Sequence, residues 1–334
     1  MMELIYELIA FVLKAGVVVF AVMLIVGIVA QATQRQKVRK GELIVERLTD
    51  ELRDGVERLR LELMDKKQRK QVEKSLKQKQ KQEQKENTKQ RVFVIDFKGS
   101  VDANEVESLR REVSAIIAVA EPGDTVFIRL ESPGGAVDGY GLAAAQLERL
   151  REAKLELTVS VDKVAASGGY MMAVVADHIQ AAPFAFVGSI GVIAQLPNFH
   201  RWLKKHDVDY EQVTAGEYKR TLSVFGENTD EGRRKFKQEL EGIHQQFKAH
   251  IQRYRPDLDL DKVATGEYWT AQEAIDYGLV DSISTSDAWL MARRDSHDMF
   301  LVRYVQKKNL GERVGRQVVA TLQTLTNYIR KQQS

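Results

Sequence analysis

Two short stretches carry residues whose types and spacing suit chemistry on a carbonyl group. The first is Ala165-Ala166-Ser167-Gly168-Gly169-Tyr170-Met171-Met172-Ala173, which follows the strand-like run LELTVSV and opens an apolar helix. A serine flanked by small residues at such a turn stands at a helix amino terminus. Free N–H groups there favour a developing oxyanion. The same place suits an ordinary helix cap, because serine is a favoured cap residue. On local grounds both readings stand. The second stretch is Glu131-Ser132-Pro133-Gly134-Gly135, directly after the strand-like TVFIRL. Pro133 fixes the turn, and the glycines let backbone amides come close to whatever binds. A Pro-Gly-Gly turn by itself is also ordinary loop chemistry.

A nucleophilic serine needs a base. The six histidines are His178, His200, His206, His244, His250 and His297. None stands in a recognisable triad motif, and His178 follows Asp177 in what reads as a further strand. Lysine is the other option. Ser160-Val161-Asp162-Lys163 has the S-x-x-K spacing of penicillin-binding enzymes. However, Ser160 falls inside a predicted strand, and the companion S-D-N and K-T-G motifs are missing. The chain has no cysteine, which removes disulfides, thiolate metal sites and a cysteine nucleophile together.

These turns need a frame. VFVIDF, TVFIRL and LELTVSV are β-branched and aromatic runs of strand length. Val106, Leu109, Val113, Ile116 and Ile117 mark one helix between them, and the stretch 142–150 marks another. Strands alternating with helices predict βαβ units and a parallel sheet, with chemistry at the carboxyl ends of the strands. Both glycine turns fall there. The stretch 164–196 is hydrophobic enough to pass for a membrane span, but Asp177, His178 and two glycine-rich turns make it buried core.

The chain of 334 residues has a net charge of +3, unevenly placed. From Lys66 to Arg91 there are eleven Lys/Arg against three acids, a net of +8, so the remainder carries −5. A basic spacer and a mildly acidic body do not suggest a dedicated nucleic-acid binder, and no aromatics interleave the basic run for stacking. Ahead of it, residues 15–34 are twenty consecutive uncharged residues, AGVVVFAVMLIVGIVAQATQ. That length spans a bilayer core of about 30 Å. The acidic start (Glu3, Glu7) favours a retained transmembrane anchor over a cleaved signal, which would begin with basic residues. Arg35, Lys37, Arg39 and Lys40 after the span favour a cytoplasmic body by the positive-inside rule. Val45, Leu48, Leu52, Val56, Leu59 and Leu63 form a near-heptad stripe, able to pair with a copy of itself. The basic run that follows lacks apolar residues and reads as a solvated spacer, with contact to anionic headgroups as the alternative. The expected organisation is an anchor over 1–34, a charged helical or disordered stalk over 35–90, a body over 91–284 and a helical extension over 285–334. In the extension, Val314, Val318, Val319, Leu322, Leu325 and Ile329 share one helix face.

SPGG at 132–135, ASGGYMMA at 166–173, VGSIGV at 187–192, AGEYKR at 215–220 and WTAQEAIDYGLVD at 269–281 occur in this order. As an ordered set they resemble the signal peptide peptidase A family of serine peptidases, and within it the membrane-anchored SohB-type branch. The resemblance implies an α/β fold of the ClpP/crotonase type, a twisted sheet with flanking helices, assembled into oligomers. It implies Ser167 as nucleophile, Lys219 as general base, the amides of Gly135 and Gly168 as oxyanion hole, and Ser189, Ile190 and Gly191 along the substrate groove. It also implies a dyad that neighbouring protomers can share, peptide substrates such as remnant signal peptides, a single-pass location in the bacterial inner membrane, and no metal or cofactor. Glu131 departs from the family, where asparagine commonly precedes Ser-Pro-Gly-Gly, and a carboxylate beside the groove would alter peptide preference. A lysine that accepts a serine proton must be neutral at pH 7, whereas a solvated one titrates near about 10.4. Two other functions share such a fold: a membrane scaffold without turnover, and a crotonase-type acyl-CoA enzyme, which needs no Ser–Lys pair.

Overall fold

The computed structural model describes residue 16, residues 41–83 and residues 90–306. The expected anchor, apart from residue 16, and the apolar face at 314–329 lie outside the described residues. Among the described residues no helix is long and apolar enough to cross a membrane.

Among the described residues, ten strands alternate with helices. They are β1 (Gly41–Arg47), α1 (Leu48–Glu62), α2 (Lys66–Glu83), β2 (Gln90–Lys98), α3 (Val106–Val119), β3 (Thr125–Glu131), α4 (Val137–Glu152), β4 (Glu156–Val161), β5 (Val164–Ala166), α5 (Gly168–Ala173), β6 (His178–Ala181) and β7 (Phe186–Gly188). Next come α6 (His200–Lys205), α7 (Asp230–Tyr254), α8 (Leu260–Val263), β8 (Tyr268–Thr270), α9 (Ala271–Ala274), β9 (Ser282–Ile283), α10 (Ser286–Arg293) and β10 (His297–Gln306). Seven strands form one sheet in the order β1-β10-β2-β3-β4-β6-β9, parallel from β10 to β9. β5, β7 and β8 form a second, mixed sheet, with β5–β7 parallel and β7–β8 antiparallel. The protein is therefore an α/β fold with flanking helices.

The period of two along each strand divides the residues between two faces. Phe93, Ile95 and Phe97 of β2, Val126, Ile128 and Leu130 of β3, and Leu157, Val159 and Val161 of β4 enter the main core. Helix α3 meets them with Val106, Leu109, Val113 and Ile116, a helical stripe, and α4 adds Tyr140, Ala143, Ala144, Leu147 and Leu150. On the opposite face Val92, Val94 and Phe127 pack with Leu48, Leu290, Met299 and Leu301, and Trp289 stacks on Phe127 at 4.1 Å. Burial of this kind, at about 25 cal/mol per Å² of apolar surface, is the main source of stability.

The sheet extends past both edges of the 91–284 body. In the 285–334 region β10 pairs with β2, Met299 opposite Val92 and Leu301 opposite Val94. Met299 and Leu301 fill one face while Phe300 and Val302 pack on the other, so burial on both sides makes this run a strand. At the other end, the stripe that begins at Val45 is not one helix. Val45 lies in β1 next to β10 and is exposed, Leu48 and Leu52 of α1 pack on the second core, and Leu59 and Leu63 are exposed. A core of this same chain covers Leu48 and Leu52 of the stripe.

One ionisable group is buried in the joint between α3 and β10. Glu112 is 6% exposed and accepts the Tyr304 N–H at 2.7 Å through Oε1. Burial raises its carboxyl from an ordinary value near 4.5 to about 7. Between these values the folded chain holds a proton that the unfolded chain has released, so stability falls as pH rises through that window. Glu112→Gln keeps the acceptor oxygen and loses the charge. It is expected to add about 1–3 kcal/mol to unfolding free energy at pH 8 and little at pH 5, read from urea titrations. An equal effect at both pH values would refute a buried charge at this joint.

Candidate active site

The two glycine turns meet where the small sheet grows from the large one. Ser132, at the end of β3, bridges to Ala165 of β5: its N–H donates to Val164 O at 2.8 Å and its carbonyl accepts Ala166 N–H at 3.0 Å. Ser167 follows at once, at φ 52 and ψ −118. A non-glycine residue pays for such a backbone and keeps it only where the surroundings over-determine it. Here Ser167 N–H donates to Gly188 O at 2.8 Å, and Ser167 O accepts Met171 N–H at 2.9 Å. The strained residue is thus tied to β7 on one side and to α5 on the other. Its hydroxyl makes no hydrogen bond among the described residues.

The glycines are there because nothing larger fits. A Cβ on Gly134, at φ +85, would lie 2.7 Å from Ser167 Cβ and 2.8 Å from Gly168 N. On Gly168 it would enter the Tyr140 ring, and on Gly169 it would lie 2.6 Å from Ser132 O. On Gly135 it would run into the Val101 carbonyl, whose oxygen accepts Ala136 N–H at 2.8 Å. The amides of Gly135 and Gly168 make no hydrogen bond among the described residues, whereas Gly134 N–H is taken by Ser132 Oγ at 3.1 Å. Ser167 therefore stands bare beside two open N–H groups.

The expected groove residues enter the same corner. Ser189 follows Gly188, whose carbonyl holds Ser167, and its own N–H donates to Glu267 O at 2.6 Å. Ile190, however, is fully buried in the main core, and Gly191 runs against Gly266. This segment can meet a peptide through its backbone, not through the Ile190 side chain.

Lys219 is not brought to Ser167 within this chain. It lies in a turn closed by its own N–H to Gly216 O at 3.2 Å, and its side chain is exposed. The ammonium makes no hydrogen bond or ion pair with the described residues. The run around it exposes Ile193 (78%), Trp202 (58%) and Val213 (96%).

The competing groupings resolve into structural roles. Ser160 is fully buried and accepts from Gln180 Nε2 at 3.0 Å, while Lys163 reaches the surface and pairs with Glu131 at 3.2 Å. The S-x-x-K pair therefore shares no site. Glu131 sits between Lys163 and Lys98 on the sheet face opposite the main core, beside a cavity of about 330 Å³, and the Lys163 ammonium holds its carboxyl below the usual range. It is a salt-bridge residue, and Ser167 does not line the cavity beside it. His178, Ser282 and Asp281 form a Ser-His-Asp grouping, with 2.8 Å from Nε2 to Ser282 Oγ and 3.9 Å from Nδ1 to Asp281. Asp281 is already held by both arms of Arg255, at 2.5 and 2.7 Å, and by Ile179 N–H at 2.7 Å. Its charge is spent there, so the imidazole lacks the free carboxylate that orients a catalytic histidine. His250 donates to Met171 O at 3.0 Å, and burial pushes its pKa down, which keeps it neutral against the end of α5. Tyr140 was not legible as a site residue; a helix tyrosine has no motif to announce it.

Residues 3–147 match the N-terminal region of peptidase family S49, and residues 149–298 match peptidase family S49 itself. A probable protease SohB of Haemophilus influenzae is 48% identical over 320 residues, covering 92% of this chain and 91% of that protein. A putative protease SohB of Buchnera aphidicola subsp. Baizongia pistaciae is 40% identical over 324 residues, covering 92% and 93%. Among solved structures, a 1510-N membrane-bound stomatin-specific protease superposes with a TM-score of 0.36 at 18% identity, covering 61% of this chain and 84% of that one.

The packing predicts opposite outcomes for two nearby glycines. Gly168→Ala drives a methyl into the Tyr140 ring and is expected to cost about 1–3 kcal/mol, as overpacking does. Gly141→Ala, in α4 with nothing within 4 Å, is expected to stabilise by up to about 1 kcal/mol. Chemical unfolding of both variants checks this, and a neutral Gly168→Ala would contradict the contact.

Proposed function

Because the chain belongs to peptidase family S49 alongside the SohB proteases, we propose that it hydrolyses peptide bonds with Ser167 as nucleophile and Lys219 as general base. The observation that carries this reading is the strained Ser167 with a free hydroxyl beside the open amides of Gly135 and Gly168. Ser167 Oγ attacks the substrate carbonyl while its proton passes to the neutral Lys219 amine. The carbonyl oxygen becomes an anion that accepts hydrogen bonds from Gly135 and Gly168 N–H. On collapse the C–N bond breaks and Lys219 returns the proton to the leaving amine. Water, deprotonated by the same lysine, then releases the acyl group from Ser167. No metal or cofactor enters any step. The framework is of the ClpP/crotonase type.

A solvated lysine is a poor base, and burial or nearby positive charge must favour its neutral form. Lys219 is exposed in the single chain, on an apolar run with no cover. We infer that a neighbouring copy receives this run and that its Ser167 meets the incoming Lys219. The substrates are extended apolar peptides near a membrane, signal-peptide remnants among them. The anchor expected at 1–34 would hold the protease in the bacterial inner membrane with its body on the cytoplasmic side.

Mixing two dead variants tests both parts. Ser167→Ala and Lys219→Ala are each expected to lose cleavage of an apolar signal-peptide substrate while keeping wild-type assembly. Co-expressed in equal amounts, they are expected to recover about a quarter of wild-type activity, the share of interfaces that random mixing supplies with both groups. No recovery would place both residues of a working pair on one chain. Activity that survives Ser167→Ala would remove the serine mechanism and favour another use of the fold.

A further inference from the structure

Beneath the two glycine turns runs a buried chain of hydrogen bonds that the mechanism above does not use. Gly134 N–H lies 3.1 Å from Ser132 Oγ, Ser132 Oγ lies 2.6 Å from Tyr140 Oη, and Tyr140 Oη lies 2.8 Å from Ser100 O. The two ends fix every proton. An amide N–H can only donate and a carbonyl oxygen can only accept. Tyr140 Oη therefore spends its single proton on Ser100 and must accept from Ser132. Ser132 Oγ in turn donates to Tyr140 and accepts from Gly134. No other arrangement satisfies all four groups. Ser132 and Tyr140 are both fully buried, and burial raises the phenol pKa, so the proton that the chain needs stays in place.

The chain lies against the site at two points. At one end it takes the amide of Gly134, whose neighbour Gly135 is left with a free N–H. At the other, the Tyr140 ring fills the space where a Gly168 side chain would stand. A Pro-Gly-Gly turn has two successive glycine amides that could both face a ligand, as in a nest, but here the Gly134 amide is turned to Ser132. We propose that Ser132 and Tyr140 are positioning residues which hold the Gly134 amide inward and thereby leave Gly135 as the amide that meets the acyl oxygen. The inference rests on Ser167 being the nucleophile. It assigns the selection of the oxyanion donor to two side chains that touch no reacting atom.

Ser132→Ala and Tyr140→Phe each delete one hydroxyl and introduce no clash, so both are expected to fold. With an apolar chromogenic peptide, each is expected to lower kcat about tenfold to a hundredfold, less than the loss of a whole oxyanion donor, with KM within about twofold. A peptide aldehyde of the same sequence, which forms a tetrahedral adduct on serine, is expected to bind more weakly by the same factor. Binding of the uncleaved peptide, measured in the Ser167→Ala background, is expected to stay unchanged. The double variant is expected to be no worse than the poorer single one, because the two hydroxyls act as one chain. Melting curves and assembly state accompany each variant, and Tyr140→Phe decides the matter should Ser132→Ala fail to fold. Wild-type kcat and aldehyde affinity in either folded variant would overturn the proposal while leaving the serine mechanism standing. Loss shared equally by aldehyde and uncleaved peptide would also overturn it, as general loosening of the site. Hydrolysis by wild type that survives Ser167→Ala alone would sink the mechanism, and this inference with it.

Discussion

Everything at the candidate site depends on two loops touching backbone to backbone. The turn after β3 and the turn after β5 approach until no side chain fits between them, with the Gly134 position within van der Waals contact of Ser167 and Gly168. Such an approach leaves amide groups near the surface without the secondary-structure partners they would otherwise find. Two of them, Gly135 and Gly168, make no hydrogen bond among the described residues, while Gly134 is satisfied by Ser132. The strain at Ser167 follows from the same contact. Its φ of 52 is maintained because its amide is held by Gly188 and its carbonyl by Met171, on two different elements.

The rest of the fold can be read as support for that seam. The parallel sheet brings the carboxyl ends of β3 and β4 side by side, so that Ser132 can bridge to β5 and found the smaller sheet. β7 lies next to β5 and supplies Gly188 O; β8 closes it from the other side, with Trp269 packed over Gly188. α5 is short and fully surrounded, with Tyr170 donating to Leu279 O and His250 to Met171 O. Each of these contacts restrains a different end of the turn that presents Ser167. The second core, around Phe127 and Trp289, lies on the far face and acts only through the sheet.

The sequence showed the frame more clearly than the site. β2, β3, β4, α3 and α4 stand where the apolar runs and stripes indicate: each helix buries one regular face, and the β-branched and aromatic strands are buried on both. β10 was hidden because MFLV is apolar on both faces and reads equally as part of a helix. The stripe from Val45 to Leu63 was hidden for the opposite reason: its spacing is helical throughout, and only the neighbouring strand β10 turns its first residues into β1. Within the site, Ser167 and the glycines were legible from small residues at a strand-to-helix turn. Ser189 and Ile190 were expected in the groove only from the resemblance, and the core claimed Ile190, since a run with a side chain on each face gives no sign of which one faces in. Tyr140 left no local trace. Its role comes from a phenol meeting Ser132 and Ser100 across 8 and 40 residues.

Lys219 raises a different kind of constraint. The run from Ile193 to Phe225 carries nine large apolar side chains that remain exposed: Ile193, Leu196, Phe199, Trp202, Val208, Tyr210, Val213, Tyr218 and Phe225. Its regular structure is one helix of six residues, α6. Ordering such a run costs backbone entropy of about 1–2 kcal/mol per residue, and burial within the chain offsets little of it. Apolar patches of that extent are characteristic of surfaces that another molecule covers. The same cover would take water away from Lys219 and favour its neutral form. One event, the covering of the run, would then do two things: stabilise an otherwise costly conformation and desolvate Lys219, the proposed base. A serine held ready at all times and a lysine made competent only by contact would separate the construction of the active site from its activation.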